Sequence, residues 1–308
     1  MKNLQISRSD RKAIGAMVLV IVVSALVAMM TSCSKEEAPA SLHAGIRING
    51  DSIPDLTTVT FSCGGFSMSQ TSMARTRAAL SDLQLTDLWL FDYIGDELQQ
   101  TVHQQATDAG FGSIALTAEY GQHHLYFVAS RGTEPTIDGI TLKWSKSGDT
   151  FWHALDLDIQ PSTAPQQSVV LSRVATRLRI VVTDEVPAEL HTFAITPQTW
   201  YYGLNIRTGE AADGQTTPRS IVVPESYVGT SGQLAMSVYG IGKSEDYQTD
   251  VRLQALKADG TAIADITIPQ VTMKRNVMTQ YSGQLFGSAK AFGITADDDW
   301  GNDNTGTW

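Results

Sequence analysis

Cysteine is almost missing from this 308-residue chain. Two residues, Cys33 and Cys63, cannot build a disulfide-dense scaffold or a four-cysteine zinc site. Bases are also short, with 22 Lys plus Arg against 32 Asp plus Glu. The net charge of −10 argues against broad electrostatic binding to nucleic acid or an anionic lipid surface. Charged residues reach only 18% while hydrophobic residues make up 42%, which excludes wholesale disorder. Long segments with helical apolar spacing are absent, and no unit repeats at a short fixed period. There is no Gly-x-Ser-x-Gly elbow, no cysteine placed for nucleophilic attack and no carboxylate pair on a helix. The six histidines lack metal-ligand spacing: His123 and His124 are adjacent and point to opposite faces of a strand, and His103, His153 and His191 are isolated. The chain therefore reads as an acidic globular protein with no enzyme site and no cofactor, and its length suits two domains of roughly 100–200 residues.

The first segment that is present carries a different signal. Lys2, Arg8, Arg11 and Lys12 precede an uncharged, mostly apolar run from Ala13 to Met30. A basic start followed by an apolar stretch is the export pattern, to be set aside from the fold. It ends in Met30-Thr31-Ser32-Cys33, which resembles the lipobox of bacterial lipoproteins. In that family the cysteine becomes the N-terminus and carries acyl chains. The alternative is an uncleaved signal anchor, since about 18 uncharged residues just span a bilayer. Loss of residues 1–32 takes four bases and one acid from −10, leaving −13. Ser34-Lys35-Glu36-Glu37 then resembles the surface-export signal of Bacteroidetes lipoproteins, against the plainer reading of a solvated tether.

Beyond the tether, period-two alternation dominates. Val59, Phe61 and Cys63 alternate with Thr58, Thr60 and Ser62, which makes Cys63 a small core residue on an apolar strand face. Strands are expected over 87–93, 113–118, 124–130, 151–159, 176–183, 192–196, 233–239, 251–256 and 262–268. Gly95 and Gly260 mark hairpin turns in Tyr93–Leu98 and Lys257–Thr261. Two prolines in the polar segment Gln160–Gln166 mark the expected domain boundary. Val59, Phe61, Leu88, Leu90, Leu125 and Phe127 should fill the first core. Leu178, Ile180, Val182, Val251, Leu253, Ile266 and Ile268 should fill the second. Trp89, Phe91 and Tyr126 are assigned to sandwich cores as well.

Three motifs invite chemistry and have plainer readings. Gly240-Ile241-Gly242-Lys243-Ser244 looks like the tail of a phosphate-binding loop, but Ser237 occupies the position of its first glycine and no helix follows. A hairpin loop fits better. The acidic run Asp297–Asn304 lacks the glycine spacing and closing Glu of a helix-loop-helix calcium site and reads as a solvated tail. Trp200-Tyr201-Tyr202 suits either core packing or a sugar-stacking surface.

Several segments in order are similar to fimbrial anchoring subunits of Bacteroidetes: Leu88–Tyr93 with Asp96–Gln100, Thr107–Gly112, His124–Gly132, Arg173–Leu178, Trp200–Leu204, Tyr227–Gly232, and Lys274–Asn276 through Tyr281–Gly283. The resemblance implies an all-β fold of two tandem transthyretin-like β-sandwich domains after a lipoprotein signal peptide. Its layout here is a signal peptide over 1–32, a tether over 33–42, an N-terminal domain over 43–166 and a C-terminal domain over 167–308. It further implies an outer-membrane anchor at the base of a strand-exchange fimbria, attaching the fibre and limiting its length, joined to lipid through acylated Cys33 and to fimbrial shaft subunits as partners. The runner-up is a surface glycan-binding lipoprotein. The resemblance also implies that shaft subunits lose an N-terminal strand to an Arg-specific protease. Such a cut would part an anchor from its lipid, so Arg75 and Arg77, in the polar break 64–81, need not be processing sites. Phe292, Ile294 and Ala296 alternate with Ala291, Gly293 and Thr295, so they are partner-strand candidates for a neighbour's groove. Equally, they complete the chain's own second sandwich.

Overall fold

The computed structural model describes residues 47–48, 51–52, 56–63, 83–287 and 292–297. Residues Met1–Ile53 and Pro54–Trp308 fall into two separate units. In the first, Arg47–Ile48 pairs antiparallel with Asp51–Ser52. The second holds everything described below, and its described residues are almost entirely β, with a short 3-10 turn at Glu225–Tyr227.

The alternating sequence builds strands with one apolar face, and two sheets bury those faces against each other. In the first half, a sheet containing Thr150–Ile159, Gly121–Ser130, Asp87–Ile94 and Glu97–Gln105 lies over a sheet of Gln166–Val169, Leu56–Cys63 and Ser113–Glu119. Val59, Phe61, Leu88, Leu90, Leu125 and Phe127 are all buried between them, as expected, with the Phe61 and Phe127 rings edge to face at 5.2 Å. In the second half, a sheet of Ala262–Met273, Tyr247–Leu256, Thr192–Pro197 and Arg219–Val222 faces one holding Met278–Gly283, Ala175–Val182 and Ala235–Ile241. Leu178, Ile180, Val182, Val251, Leu253 and Ile268 form its core, while Ile266 is only partly buried at its margin.

Both expected hairpins are present. Gly95 takes φ +60° where Ile94 pairs with Glu97. Gly260 takes φ +83° where the Lys257 N–H reaches the Thr261 carbonyl at 2.9 Å. Each is a turn that an L-residue enters at a cost.

Numbering the seven principal strands of each half in chain order, the sheets are 6-5-2-3 and 7-1-4 in both. In both, the seventh strand runs parallel to the first, and the other pairs are antiparallel. The halves are therefore two copies of one topology.

The change of core does not fall at the prolines. The segment 160–166 is a turn tied locally: the Gln160 N–H donates to Thr163 Oγ1 at 2.7 Å, and the Thr163 N–H returns to the Gln160 carbonyl at 2.9 Å. The strand that follows, Gln166–Val169, rejoins the first half beside Leu56–Cys63. Val169 and Leu171 are still in the first core, and Leu178 begins the second. A further sheet joins the halves: Ala211–Gln215 and Trp200–Asn205 from the second, Thr141–Lys143 and Thr136–Asp138 from the first. Trp89, Phe91, Tyr93 and Tyr126 point here, on the far side of the sheet that carries Leu88 and Leu90, and pack with Leu142, Trp144, Leu204 and Ile206. These aromatics fill a junction between the sandwiches rather than a sandwich core. Asp87–Ile94 is consequently buried on both faces.

Candidate functional site

The partner-strand candidates sit at one edge of the second sandwich. Met278–Gly283 is held on its inner side by parallel pairing with Ala175–Val182, and Tyr281 is buried in the core. After Leu285, which is fully buried, the chain turns and Phe292–Asp297 comes back antiparallel along the outer side. Phe292 pairs with Gly283, Ile294 with Tyr281 and Ala296 with Thr279. Among the described residues Phe292–Asp297 is the terminal strand of its sheet. It is a seven-strand sandwich with an eighth strand added. The first half, where Gln166–Val169 occupies the matching place, has no such added strand among the described residues.

Cys33, Arg75 and Arg77 lie outside the described residues. Cys63 is buried at the end of Leu56–Cys63, and burial pushes its thiol up to about 12, so it is a core side chain and a poor nucleophile. Trp200 and Tyr202 are buried in the second core, and the indole N–H of Trp200 donates to the Tyr239 carbonyl at 2.8 Å. Tyr201 is half-buried, edge to face with Tyr247 at 5.3 Å. The aromatic run is packing.

The segment Gly240–Ser244 carries the chain from one sheet to the other and so is not the hairpin its sequence suggests. Ile241 is buried in the junction, the Gly242 carbonyl accepts from Arg275 Nε at 3.1 Å, and the Ser244 N–H donates to Glu210 Oε2 at 3.1 Å. A Cβ on Gly242 would lie 2.7 Å from the Arg275 Cα. Gly242 serves close packing against Arg275 and Gly240 close packing against the Trp200 indole, 2.6 Å from where a Cβ would lie, and the Glu210 carboxylate occupies the Ser244 N–H.

Polar side chains converge in two places that spacing alone does not announce. The first is the junction. Arg173, 4% exposed, grips Asp149 in a fork, Nε to Oδ1 at 2.8 Å and Nη2 to Oδ2 at 3.0 Å, with its guanidinium 5.0 Å above the Phe151 ring. Arg131 Nη2 donates to the Tyr239 hydroxyl at 2.9 Å, and Ser147 Oγ to the Tyr239 carbonyl at 2.7 Å. Arg177 donates to Ser237 Oγ at 2.8 Å, and its guanidinium is held below the usual range first by burial, then by Arg179 and Arg131. Trp152 Nε1 donates to the Ile206 carbonyl at 2.7 Å. The second place lies inside the first sandwich, where His123 Nδ1 is 2.6 Å from Asp92 Oδ1 and both are buried. His123 faces inward and His124 outward, where it meets Asp156 at 2.6 Å. His103 lies flat on Trp89 at 3.6 Å and reaches Asp87 at 2.9 Å. Each pair joins neighbouring strands, so only the register reveals it.

A family model described as a family of unknown function (DUF6562) matches residues 138–307, more than half of the chain. No curated protein matches the sequence. Among solved structures, the fold is similar to that of a candidate polysaccharide-binding protein (DUF1812) from Bacteroides thetaiotaomicron. The TM-score is 0.51 at 10% identity, over 79% of this chain and 96% of that one. The fimbrial anchor protein Mfa2 from Porphyromonas gingivalis aligns over 79% of this chain and 97% of its own, with a TM-score of 0.44 and 10% identity. A candidate cell adhesion protein from Bacteroides uniformis aligns over 79% and 98%, at 0.44 and 14%. At these identities the likeness is one of fold.

Proposed function

The chain belongs to the DUF6562 family, of unknown function, and on that footing we propose that it is a lipid-tethered subunit at the base of a strand-exchange fimbria. In this reading acylated Cys33 holds it to the outer membrane, and the C-terminal strand joins it to a shaft subunit. The observation that carries the proposal is the eighth strand. Phe292–Asp297 lies outside a seven-strand topology that the first half, among the described residues, shows with no added strand. An edge strand of this kind attaches mainly through backbone hydrogen bonds, which any sandwich with an open edge can offer in return. The lipobox-like Met30-Thr31-Ser32-Cys33 and the ordered likeness to fimbrial anchoring subunits support the same role.

A second reading, surface glycan binding, has in its favour the fold shared with the Bacteroides thetaiotaomicron protein. Burial of Trp200 and Tyr202 removes its best sequence-level support.

The test deletes residues 288–308 and, separately, replaces Cys33 by Ala in the producing cell. The truncated protein is expected to fold and remain in the membrane while fimbriae are released into the medium. Cys33→Ala is expected to lose acyl labelling and leave the membrane. Fimbriae that stay cell-bound at normal length on the folded truncation overturn the strand role. A glycan array positive with the truncated protein favours the second reading.

A further inference from the structure

The C-terminal strand leaves the second sandwich at a distinctive point. Asp184, just after Ala175–Val182, turns its carboxylate toward the chain that follows Met278–Gly283. Oδ1 accepts the Leu285 N–H at 3.0 Å, and Oδ2 accepts the N–H groups of Phe286 at 2.6 Å and Gly287 at 2.9 Å. Three successive backbone donors converging on one anion form a nest, and bonds to an ionised acceptor are the stronger kind. The neighbouring Thr183 N–H ties back to the Gly283 carbonyl at 2.8 Å. Leu285 is fully buried and Phe286 packs against the same core. At Gly287 an added Cβ would sit 3.3 Å from Gln284 Oε1 and in ordinary contact, 3.9 Å, with Asp184 Oδ2.

We infer that Asp184 is a positioning residue that ends the second core at Gly287, so that the strand beyond it can lift from the edge of Met278–Gly283 as a unit. This rests on the strand-exchange role proposed above and adds the place where exchange begins. Without such a clamp, peeling Phe292–Asp297 away would run on through Leu285 into Tyr281 and open the core. With it, the backbone bonds of one edge strand are exposed while the seven-strand sandwich stays closed. The partner this suits is a sandwich of the same topology lacking its edge strand, which would receive an antiparallel segment of alternating small and apolar residues.

Native-state hydrogen exchange on the mature chain tests this, with wild type compared against Asp184→Asn and Asp184→Ala. In wild type, Phe292–Asp297 is expected to exchange in a step separate from, and faster than, Leu178–Val182 and Val251–Ala255. In Asp184→Ala, the amides of 285–287 should exchange about tenfold faster or more, and Thr279–Ser282 should now open together with Phe292–Asp297. Asp184→Asn, which keeps one carbonyl acceptor, should fall between and provides the reading if the alanine variant does not fold. Exchange of Phe292–Asp297 at the rate of the core in wild type overturns the inference, as does unchanged exchange at 285–287 and Thr279–Ser282 in both variants. None of these readings involves fimbriae, so failure of the clamp and failure of the anchor role are told apart.

Discussion

The two sandwiches share the sheet orders 6-5-2-3 and 7-1-4 but are finished differently. The second is closed at its outer edge by an extra antiparallel strand, whereas the first ends in the four residues Gln166–Val169, which pair with only half of Leu56–Cys63. Their insertions differ too. The first half inserts Thr136–Lys143 between its fifth and sixth strands, and the second inserts Trp200–Gln215 between its second and third. Those two insertions meet in one sheet, through pairs such as Leu142 with Leu204. Repetition of the topology supplies two similar cores, and departures from it supply both the seam between them and the added edge strand at the end. What distinguishes this molecule from a pair of beads lies in the parts its halves do not share.

The comparison is broken most forcefully at the seam. Replacing Arg173 by Ala leaves the buried Asp149 carboxyl without its forked partner, and should cost about 3–5 kcal/mol of stability. Exchanging both partners for apolar residues of similar volume should cost much less. Denaturant titration of the single and double variants checks this, and equal losses would show that the orphaned carboxylate is not what the single variant loses stability to.

Next in size come matched core truncations. Leu90→Ala in the first half and Leu253→Ala in the second should each cost about 2–5 kcal/mol, since both side chains are fully buried. If the seam makes the halves one cooperative body, each variant shifts a single unfolding transition. If it does not, each shifts its own transition and leaves the other in place.

Smallest is a reporter confined to the first half. Cys63 has its thiol raised from 9.0 to about 12 by burial, so the folded state keeps a proton that the unfolded state gives up. Its stabilising contribution is complete below about pH 8.5 and declines as pH climbs toward 12. At pH 10 the loss should be about 1–2 kcal/mol, and Cys63→Ala should flatten that part of the pH profile. An unchanged alkaline slope in the variant would place the titration elsewhere. The same thiol, labelled only when the first sandwich opens, measures the opening rate of that half alone.

Much of this architecture was legible in the sequence because its signals are local. Alternation such as Val59-Thr60-Phe61 announces a strand, and Gly95 or Gly260 between two such runs announces its turn. Signals that depend on what lies across a sheet were not legible. Trp89 and Leu88 are both apolar, and nothing in their order says that one faces the first core and the other the seam. Pro161 and Pro165 punctuate a turn within a sandwich in the same way that they would punctuate a linker, yet the last strand of the first half, Gln166–Val169, follows them. Asp92 and His123 are 31 residues apart and meet only because Asp92 and Leu125 are register partners. For the candidate site, the alternation of Phe292, Ile294 and Ala296 foretold a strand, and the sequence left open whose sheet it joins. The three N–H groups gathered by Asp184 had no signature in sequence at all.

The parallel pairing of first and seventh strands sets a schedule for the growing chain. Thr60 acquires its neighbour Gln166 only about a hundred residues later, and Arg177 waits about as long for Met278. Until then each 7-1-4 sheet lacks one member and presents an unpaired strand edge to whatever is nearby. Contacts so distant in sequence form slowly, and open edges held for that time invite wrong partners. As the chain emerges, therefore, two successive edges in every molecule need shielding, the first until Val169 is available and the second until Gly283 is.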